Sequence, residues 1–270
     1  MTLHHDDLDR PAGGRRPPMS RRSALVGLGT AAFGATAAGC GCAVAPAPSG
    51  RIAPGPWVPG AANQLVTATA VGNAGGRTTA TSGVLRAWQR SSGGWNQVLE
   101  TSCRFGRSGI HPSRTEGDGT TPAGIFTLGT TDATAFGHFA RPSGLKVPWR
   151  PITTDSYWVG DGDSSWYNRW YEGDPGGRFD PRESEHLRTV SGVGTSDFYG
   201  LALSIGFNTG AVPNFGSAIF LHLTHQRAPS GTTAGCVAID QTPMRRLLGW
   251  LDAAHSPHIA IGTWDWLHRR

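Results

Sequence analysis

From residue 64 onward the chain alternates apolar and polar positions in short runs rich in β-branched and aromatic residues. Period-two alternation of this kind predicts half-buried strands. The runs fall at 64–71, 82–89, 95–103, 124–128, 200–205 and 218–223, with a closing run at 258–261. Gly72-Asn73, Ser92-Gly93-Gly94 and Gly117-Asp118-Gly119 punctuate them as turns. One segment follows the helical period instead. Thr242 is its expected N-cap, Pro243 follows at the first helical position, and Leu247, Leu248, Trp250 and Leu251 share one face. Asp252-Ala253-Ala254-His255 is expected to finish that helix. The stretch 151–182 is rich in Trp, Tyr, Gly and Asp without a period, and reads as a long aromatic loop, a candidate lid or substrate wall.

Composition supports the same fold class. Gly (39), Pro (19) and Trp (10) are abundant against 38% hydrophobic residues, which suits a loop-rich, mainly β domain better than a helical bundle. The formal net charge is +5, but five arginines (Arg10, Arg15, Arg16, Arg21, Arg22) and three aspartates (Asp6, Asp7, Asp9) precede the first cysteine. The remainder carries only about +3. No basic cluster stands elsewhere, so nucleic acid is not an expected partner, and the scattered arginines read as a solvated face.

The first forty residues read as targeting sequence. Ser20-Arg21-Arg22-Ser23-Ala24-Leu25-Val26 resembles a twin-arginine export signal, with Met19 a candidate start. The Ala/Gly-rich run 24–38 is too short and too Gly-rich for a transmembrane helix. Ala37-Ala38-Gly39-Cys40 resembles a lipobox with Ala37 in place of the usual Leu, which makes Cys40 the candidate lipidation residue and membrane anchor. Ordinary cleavage near Ala45 or Ala47 is the alternative, and either way the expected location is extracytoplasmic, facing the cell wall. The expected organisation is a signal at 1–39, an Ala/Pro-rich tether at 40–60 and one catalytic domain at 61–270. Of the remaining cysteines, Cys42 sits in the tether and Cys103 reads as a small buried apolar residue.

The candidate chemistry lies near the end. Ile219-Phe220-Leu221-His222 delivers a histidine on a β-prone run, and Thr233-Ala234-Gly235-Cys236 places a thiol fourteen residues later at the start of another. An imidazole that takes the thiol proton yields an attacking thiolate. Such a thiol is expected to have a depressed pKa and an imidazole about 3–3.5 Å from its sulfur. Gly235 permits a tight turn, so that backbone N–H groups at Ala234, Gly235 and Cys236 are candidate oxyanion donors. Papain-like enzymes place cysteine first and histidine far downstream, which excludes them. A zinc site from His222, His225 and Cys236 is disfavoured, because residues three apart on a strand face opposite sides. Gly117-Asp118-Gly119 lacks the further acids or lysine of a calcium or phosphate loop. No metal and no cofactor are expected.

Two motifs in order carry a family resemblance. Glu116-Gly117-Asp118-Gly119-Thr120-Thr121-Pro122-Ala123-Gly124-Ile125-Phe126 resembles the first motif of the L,D-transpeptidase, or YkuD-like, catalytic domain. His222 with Thr233-Ala234-Gly235-Cys236 resembles its active-site signature, and the resemblance covers about 64–263. It implies a β-sandwich or barrel-like fold with a short helix after the cysteine. It also implies Cys236 as nucleophile, His222 as base, and acyl transfer through a thioester from peptidoglycan stem peptides. Thr233, Trp158, Tyr167 and Asn168 are the candidate substrate-binding residues. Two positions depart from the family pattern: Ala234 replaces its second histidine and Ala238 its usual Arg or Asn. A hydrolase on the same scaffold, an L,D-carboxypeptidase or cross-link-cleaving enzyme, is one alternative. A wall-binding module with an idle thiol is another. Sortase-like enzymes also place His before Cys, but with a longer gap and an Arg on the following strand. The first Arg after Cys236 here is Arg245, in the predicted helix. No protein partner is evident.

Overall fold

The computed structural model of the chain describes residues 54–72, 75–129, 134–190, 198–224 and 231–269. All of them belong to the unit Gly50–Arg270. The targeting features, Cys40, Cys42 and His225 lie outside the described residues.

Strands β1 (Gln64–Ala70), β2 (Ser82–Ser91) and β3 (Gly94–Arg104) form an antiparallel meander, with Ser92-Gly93 as the two-residue turn. Two-residue pieces β4 (Ile110–His111) and β5 (Thr121–Pro122) pair in parallel. Then come β6 (Gly124–Thr127), β7 (Ala135–Gly137) and β8 (Trp149–Pro151). Strands β9 (Ser156–Trp158), β10 (Trp170–Glu172) and β11 (Glu185–His186) form a separate three-stranded sheet, which helix α1 (Leu187–Val190) follows. The last strands are β12 (Ala202–Ser204), β13 (Phe220–Leu223), β14 (Val237–Ile239) and β15 (His258–Thr263). Helix α2 (Gln241–Trp250) follows β14, and α3 (Trp264–His268) follows β15.

Ten strands make one sheet in the order β6-β15-β1-β2-β3-β14-β13-β12-β7-β8. An isolated bridge between Leu128 and Ile205, beside a Gly206 N–H donated to Thr127 O at 3.0 Å, joins the end of edge strand β6 to the end of β12. The sheet therefore curls back on itself, and the fold is mainly β with few helices, as the sequence predicts. Inside the curl lies the main core. Val66 and Ala68 of β1, Leu85 of β2, Leu221 and Leu223 of β13, Val237 and Ile239 of β14, and Ile259 and Ile261 of β15 meet Leu247 and Leu248 of α2 there. Leu65, Trp88 and Ala260 face the other way and pack with Val58, Ala62 and Leu267. Val58, assigned by sequence to the tether, is thus part of the domain's packing.

Every alternating run forms a strand, and three expectations change. The aromatic stretch 151–182 is no plain loop, because Trp158 and Trp170 pair across β9 and β10 and Glu185 of β11 lies on the other side of Trp158. Helix α2 begins two residues earlier than predicted, with Asp240 rather than Thr242 in the cap position. Pro243 is then its third residue, still within the first turn, where no intrahelical N–H bond is lost. The Asp240 carboxylate accepts the Thr224 hydroxyl and does not cap the helix. Asp252 does not finish α2; it caps a separate 3-10 turn, accepting Ala254 N–H at 3.0 Å.

Gln64 ties the sheet to the end of α2. Its side chain is 2% exposed, donates to Trp250 O at 2.9 Å and accepts from Asp252 N–H at 2.8 Å. Gln64→Ala leaves both backbone groups without a partner, so urea denaturation should show a loss of about 2–4 kcal/mol.

Candidate active site

Alternation places the site. In β13, Leu221 and Leu223 enter the main core while Phe220 and His222 face the opposite side. In β14, Val237 and Ile239 enter the core, which leaves Cys236 and Ala238 on that same opposite side. The two strands are parallel, with Leu221 opposite Val237 and His222 opposite Ala238. Cys236 and His222 therefore stand on one face of adjacent strands, one pleat apart along the chain direction. Around them Phe136, Tyr199 and Trp158 meet the Phe220 ring edge-on at 5.1, 5.6 and 4.9 Å. Phe198 and Tyr199 each meet the His222 ring edge-on at 5.6 Å.

Cys236 is 6% exposed and lies in the wall of a cleft of about 170 Å³. Its Sγ donates to Ala218 O at 3.3 Å and accepts from Phe220 N–H at 3.4 Å. The imidazole–thiol hydrogen bond is not formed in this resting arrangement. Burial pushes the thiol up to about 12, and the nearby Glu185 carboxylate adds to the shift, against the opposing Phe220 N–H and Arg114 guanidinium. The expected depressed pKa is thus reversed: desolvation outweighs the single cation. His222 is 5% exposed, and burial lowers it to about 4, partly offset by the Nδ1–H bond to Leu223 O at 2.8 Å. That bond fixes the tautomer with the Nε2 lone pair free. At neutral pH both groups are uncharged.

The turn into Cys236 explains its glycine. Gly235 has φ +152°, and a Cβ there would lie 2.9 Å from both Thr120 O and Arg114 Nη1. Any side chain would collide with backbone. The Gly235 N–H donates to Thr233 Oγ1 at 3.1 Å, so it is committed to the turn and not offered to an oxyanion. Ala234 is exposed at the cleft wall. Thr233 is an organiser rather than a cleft residue: its hydroxyl donates to Cys236 O at 2.7 Å and its backbone pairs with Phe105 and Arg107.

The other sequence candidates divide the same way. Trp158 lines the cleft. Tyr167 is 2% exposed, with its hydroxyl on Glu116 at 2.7 Å. Asn168, at φ 53°, accepts Trp158 Nε1–H at 2.9 Å and Ala218 N–H at 3.1 Å, and donates to Phe207 O and Asn208 O. Both turn inward and hold the cleft wall. The first motif does reach the site: Thr121 Oγ1 donates to Cys236 O at 3.4 Å. Asp118 shapes that turn by accepting Thr115 N–H at 2.8 Å and Thr120 N–H at 2.7 Å. Burial raises its pKa, but these hydrogen bonds outweigh burial and hold the carboxyl below its usual range.

Sequence reasoning missed Arg114 and Glu185 and gave Glu116 no role beyond opening the first motif; all three line the cleft. Arg114 is 3% exposed, and its Nε and Nη1 have no hydrogen-bond partner. Each orphaned donor of this kind costs about 1–3 kcal/mol. Glu185 accepts the Tyr199 hydroxyl, and burial pushes its carboxyl up to about 7, with Glu116 adding to the rise against the Tyr199 bond. Arg114 had one sequence signal, its place two residues before the Glu116 motif; Glu185 had none.

The YkuD family model, described as L,D-transpeptidase catalytic domain, matches residues 82–261. The chain belongs to this family. Both motifs and the strands of the site lie inside the match. A solved structure of Bd1075 from Bdellovibrio bacteriovorus is similar over 74% of this chain and 48% of its own, at 13% identity and a TM-score of 0.36. The matched part is thus about half the length of that protein. No curated protein sequence matches the chain.

Two measurements test the electrostatics. Alkylation of resting Cys236 by iodoacetamide should be slow at pH 7 and climb without a plateau to beyond pH 10; a plateau below pH 8 would contradict the raised thiol. Stability should depend on pH in two opposed ways. The unfolded chain protonates His222 near its ordinary 6.5 and the native chain only near 4, so stability is lost as pH falls between these values, by roughly 3 kcal/mol. Glu185 keeps its proton to about 7 when folded but to 4.5 when unfolded, so its contribution is present below 4.5 and lost as pH rises through 7. Urea midpoints should show a shallower acid loss in His222→Gln and a shallower loss toward neutrality in Glu185→Gln.

Proposed function

We propose that this protein is a cysteine-dependent L,D-transpeptidase acting on peptidoglycan stem peptides through a Cys236 thioester. The observation that carries the reading is an oriented thiol in a cleft wall, on the same sheet face as a neutral imidazole of fixed tautomer. Family membership supplies the reaction class.

The chemistry follows from the neutral pair. On donor binding, the thiol turns from Ala218 O and gives its proton to His222 Nε2 as Sγ attacks the carbonyl carbon after the stem's L-centre. The tetrahedral intermediate collapses, the C–N bond breaks, and the imidazolium returns its proton to the departing amine of the D-residue. A thioester remains on Cys236. An acceptor amine of a neighbouring stem attacks it, losing a proton to His222. The C–S bond then breaks, an amide forms, and the thiol recovers that proton. No cofactor enters these steps. A low His222 pKa suits this cycle, because the base is unprotonated across the neutral range.

The same reading places the protein outside the cytoplasm. Export through the twin-arginine-like segment, with Cys40 as lipid anchor and residues 40–60 as tether, would hold the cleft near its polymeric substrate.

Mass spectrometry of the full chain with disaccharide-tetrapeptide tests the function. Wild type should release the terminal D-residue and form cross-linked dimer, with an acyl mass on Cys236. Cys236→Ala should abolish all three, and His222→Ala should lower turnover at least about 100-fold. Tripeptide without dimer would indicate water as acceptor and a hydrolase. No acyl mass and no product would refute this donor.

A further inference from the structure

We propose that Arg114 is a carboxylate anchor, holding a free carboxylate of the acyl donor beside Cys236. The choice of donor rests on the function proposed above; the anion site does not.

Arg114 stands between β4 and β5, and its guanidinium lies over the Phe207 ring at 5.6 Å. The side chain is buried, yet Nε and Nη1 donate to nothing. Its nearest ion-pair contact, Nη2 to Glu116 Oε1, is 3.9 Å, too long for a hydrogen bond. Glu116 is also engaged by the Tyr167 hydroxyl. A buried cation with two unused donors is an unfavourable arrangement unless a ligand completes it. The guanidinium lines the cleft, with Nη1 packed on Gly235, the residue before the nucleophile. Charge at Arg114 is felt at the thiol.

The ligand class follows from the donors. A guanidinium edge offers two parallel N–H groups that match the two oxygens of a carboxylate, and its permanent charge is balanced only by an anion. Elsewhere Glu116, Glu183 and Glu185 border the cleft and repel one, while the other cation of the lining, Arg107, donates to Gly117 O at 3.0 Å. Ala234 and Ala238 bring only methyl groups to this face, so the cation near the thiol is Arg114, two residues before the first motif. A carboxylate entering the cleft therefore finds buried donors without partners at Arg114, next to Cys236. Two sources fit this chemistry: the terminal carboxylate of the departing D-residue, and a side-chain carboxylate of the stem.

Two experiments on the full chain decide it. The first needs no stem peptide. Alkylation of Cys236 by iodoacetate and by iodoacetamide, mapped by peptide mass spectrometry, gives a rate ratio that cancels the thiol's own pKa. Arg114→Met should lower the iodoacetate-to-iodoacetamide ratio by about tenfold. The second compares tetrapeptide donors as the free acid, the C-terminal amide and the side-chain amide. Wild type should prefer the free acid over one of the two amides, which identifies the source, and Arg114→Met should erase that preference chiefly through KM. Arg114→Met should melt at or above the wild-type temperature, since it removes orphaned donors rather than a bonded pair. If it does not fold, Arg114→Gln carries the same two measurements. An unchanged alkylation ratio, or equal use of all three donors by wild type, would overturn the anchor. Failure of wild type on every donor would instead count against the proposed function, while the alkylation ratio still decides the anion site.

Discussion

The site depends on one constraint: β13 and β14 lie parallel and in register, His222 opposite Ala238. Because side chains alternate strictly, the apolar residues Leu221, Leu223, Val237 and Ile239 fix which face enters the core. The reactive residues then have no choice of side. A slip of one residue in either strand would bury the imidazole or the thiol among aliphatic side chains and expose leucine or valine to the cleft. The packing energy of the curled sheet thus sets the geometry of the chemistry. The glycine at Gly235 is part of the same constraint, since the chain enters β14 between Thr120 O and the Arg114 guanidinium with no room for a Cβ.

Electrostatics decide what that geometry contains. A thiol, an imidazole and a carboxyl group share a largely desolvated aromatic setting, and desolvation disfavours the charged form of each. Against it stands the Arg114 guanidinium, close enough to lower the thiol and too weak alone to ionise it. The resting site is therefore neutral at the Cys236 thiol and the His222 imidazole. In the proposed reaction, proton transfer would accompany attack instead of preceding it, which would keep the thiol unreactive until a donor occupies the cleft.

Much of this was legible in the sequence. The strands with long alternating runs, β1, β2, β3 and β15, were visible because six or more residues give the two-residue period room to show. The pieces β4, β5, β7 and β8 span two or three residues and carry no period. His222 and Cys236 could be paired because their spacing and flanking runs are local features. Only its place two residues before the Glu116 motif set Arg114 apart from the surface arginines, since its burial is a property of the tertiary fold. Tyr167 and Asn168 stood out by type, but the direction of a side chain inside an irregular segment is set by partners distant in sequence, here Glu116, Phe207 and Ala218.

Those inward side chains connect the aromatic sheet to Cys236. Asn168 holds the Trp158 indole with the same Oδ1 that accepts Ala218 N–H. Ala218 in turn offers its carbonyl to the Cys236 thiol. Both Asn168 and Ala218 sit in left-handed backbone, at φ 53° and 52°. Asparagine adopts that region readily, but alanine does so at a cost that its surroundings must offset. The Asn168 bond to Ala218 is one such offset. Trp158, at the cleft wall, is therefore coupled through a single amide to the carbonyl that restrains the resting thiol. A ligand pressing on the indole and a ligand drawing the thiol away from Ala218 act on the same short chain of bonds. That makes the sheet of β9, β10 and β11 a mechanical part of the site, through Tyr167 and Asn168 of the β9–β10 connection, which hold the cleft wall without reaching the cleft.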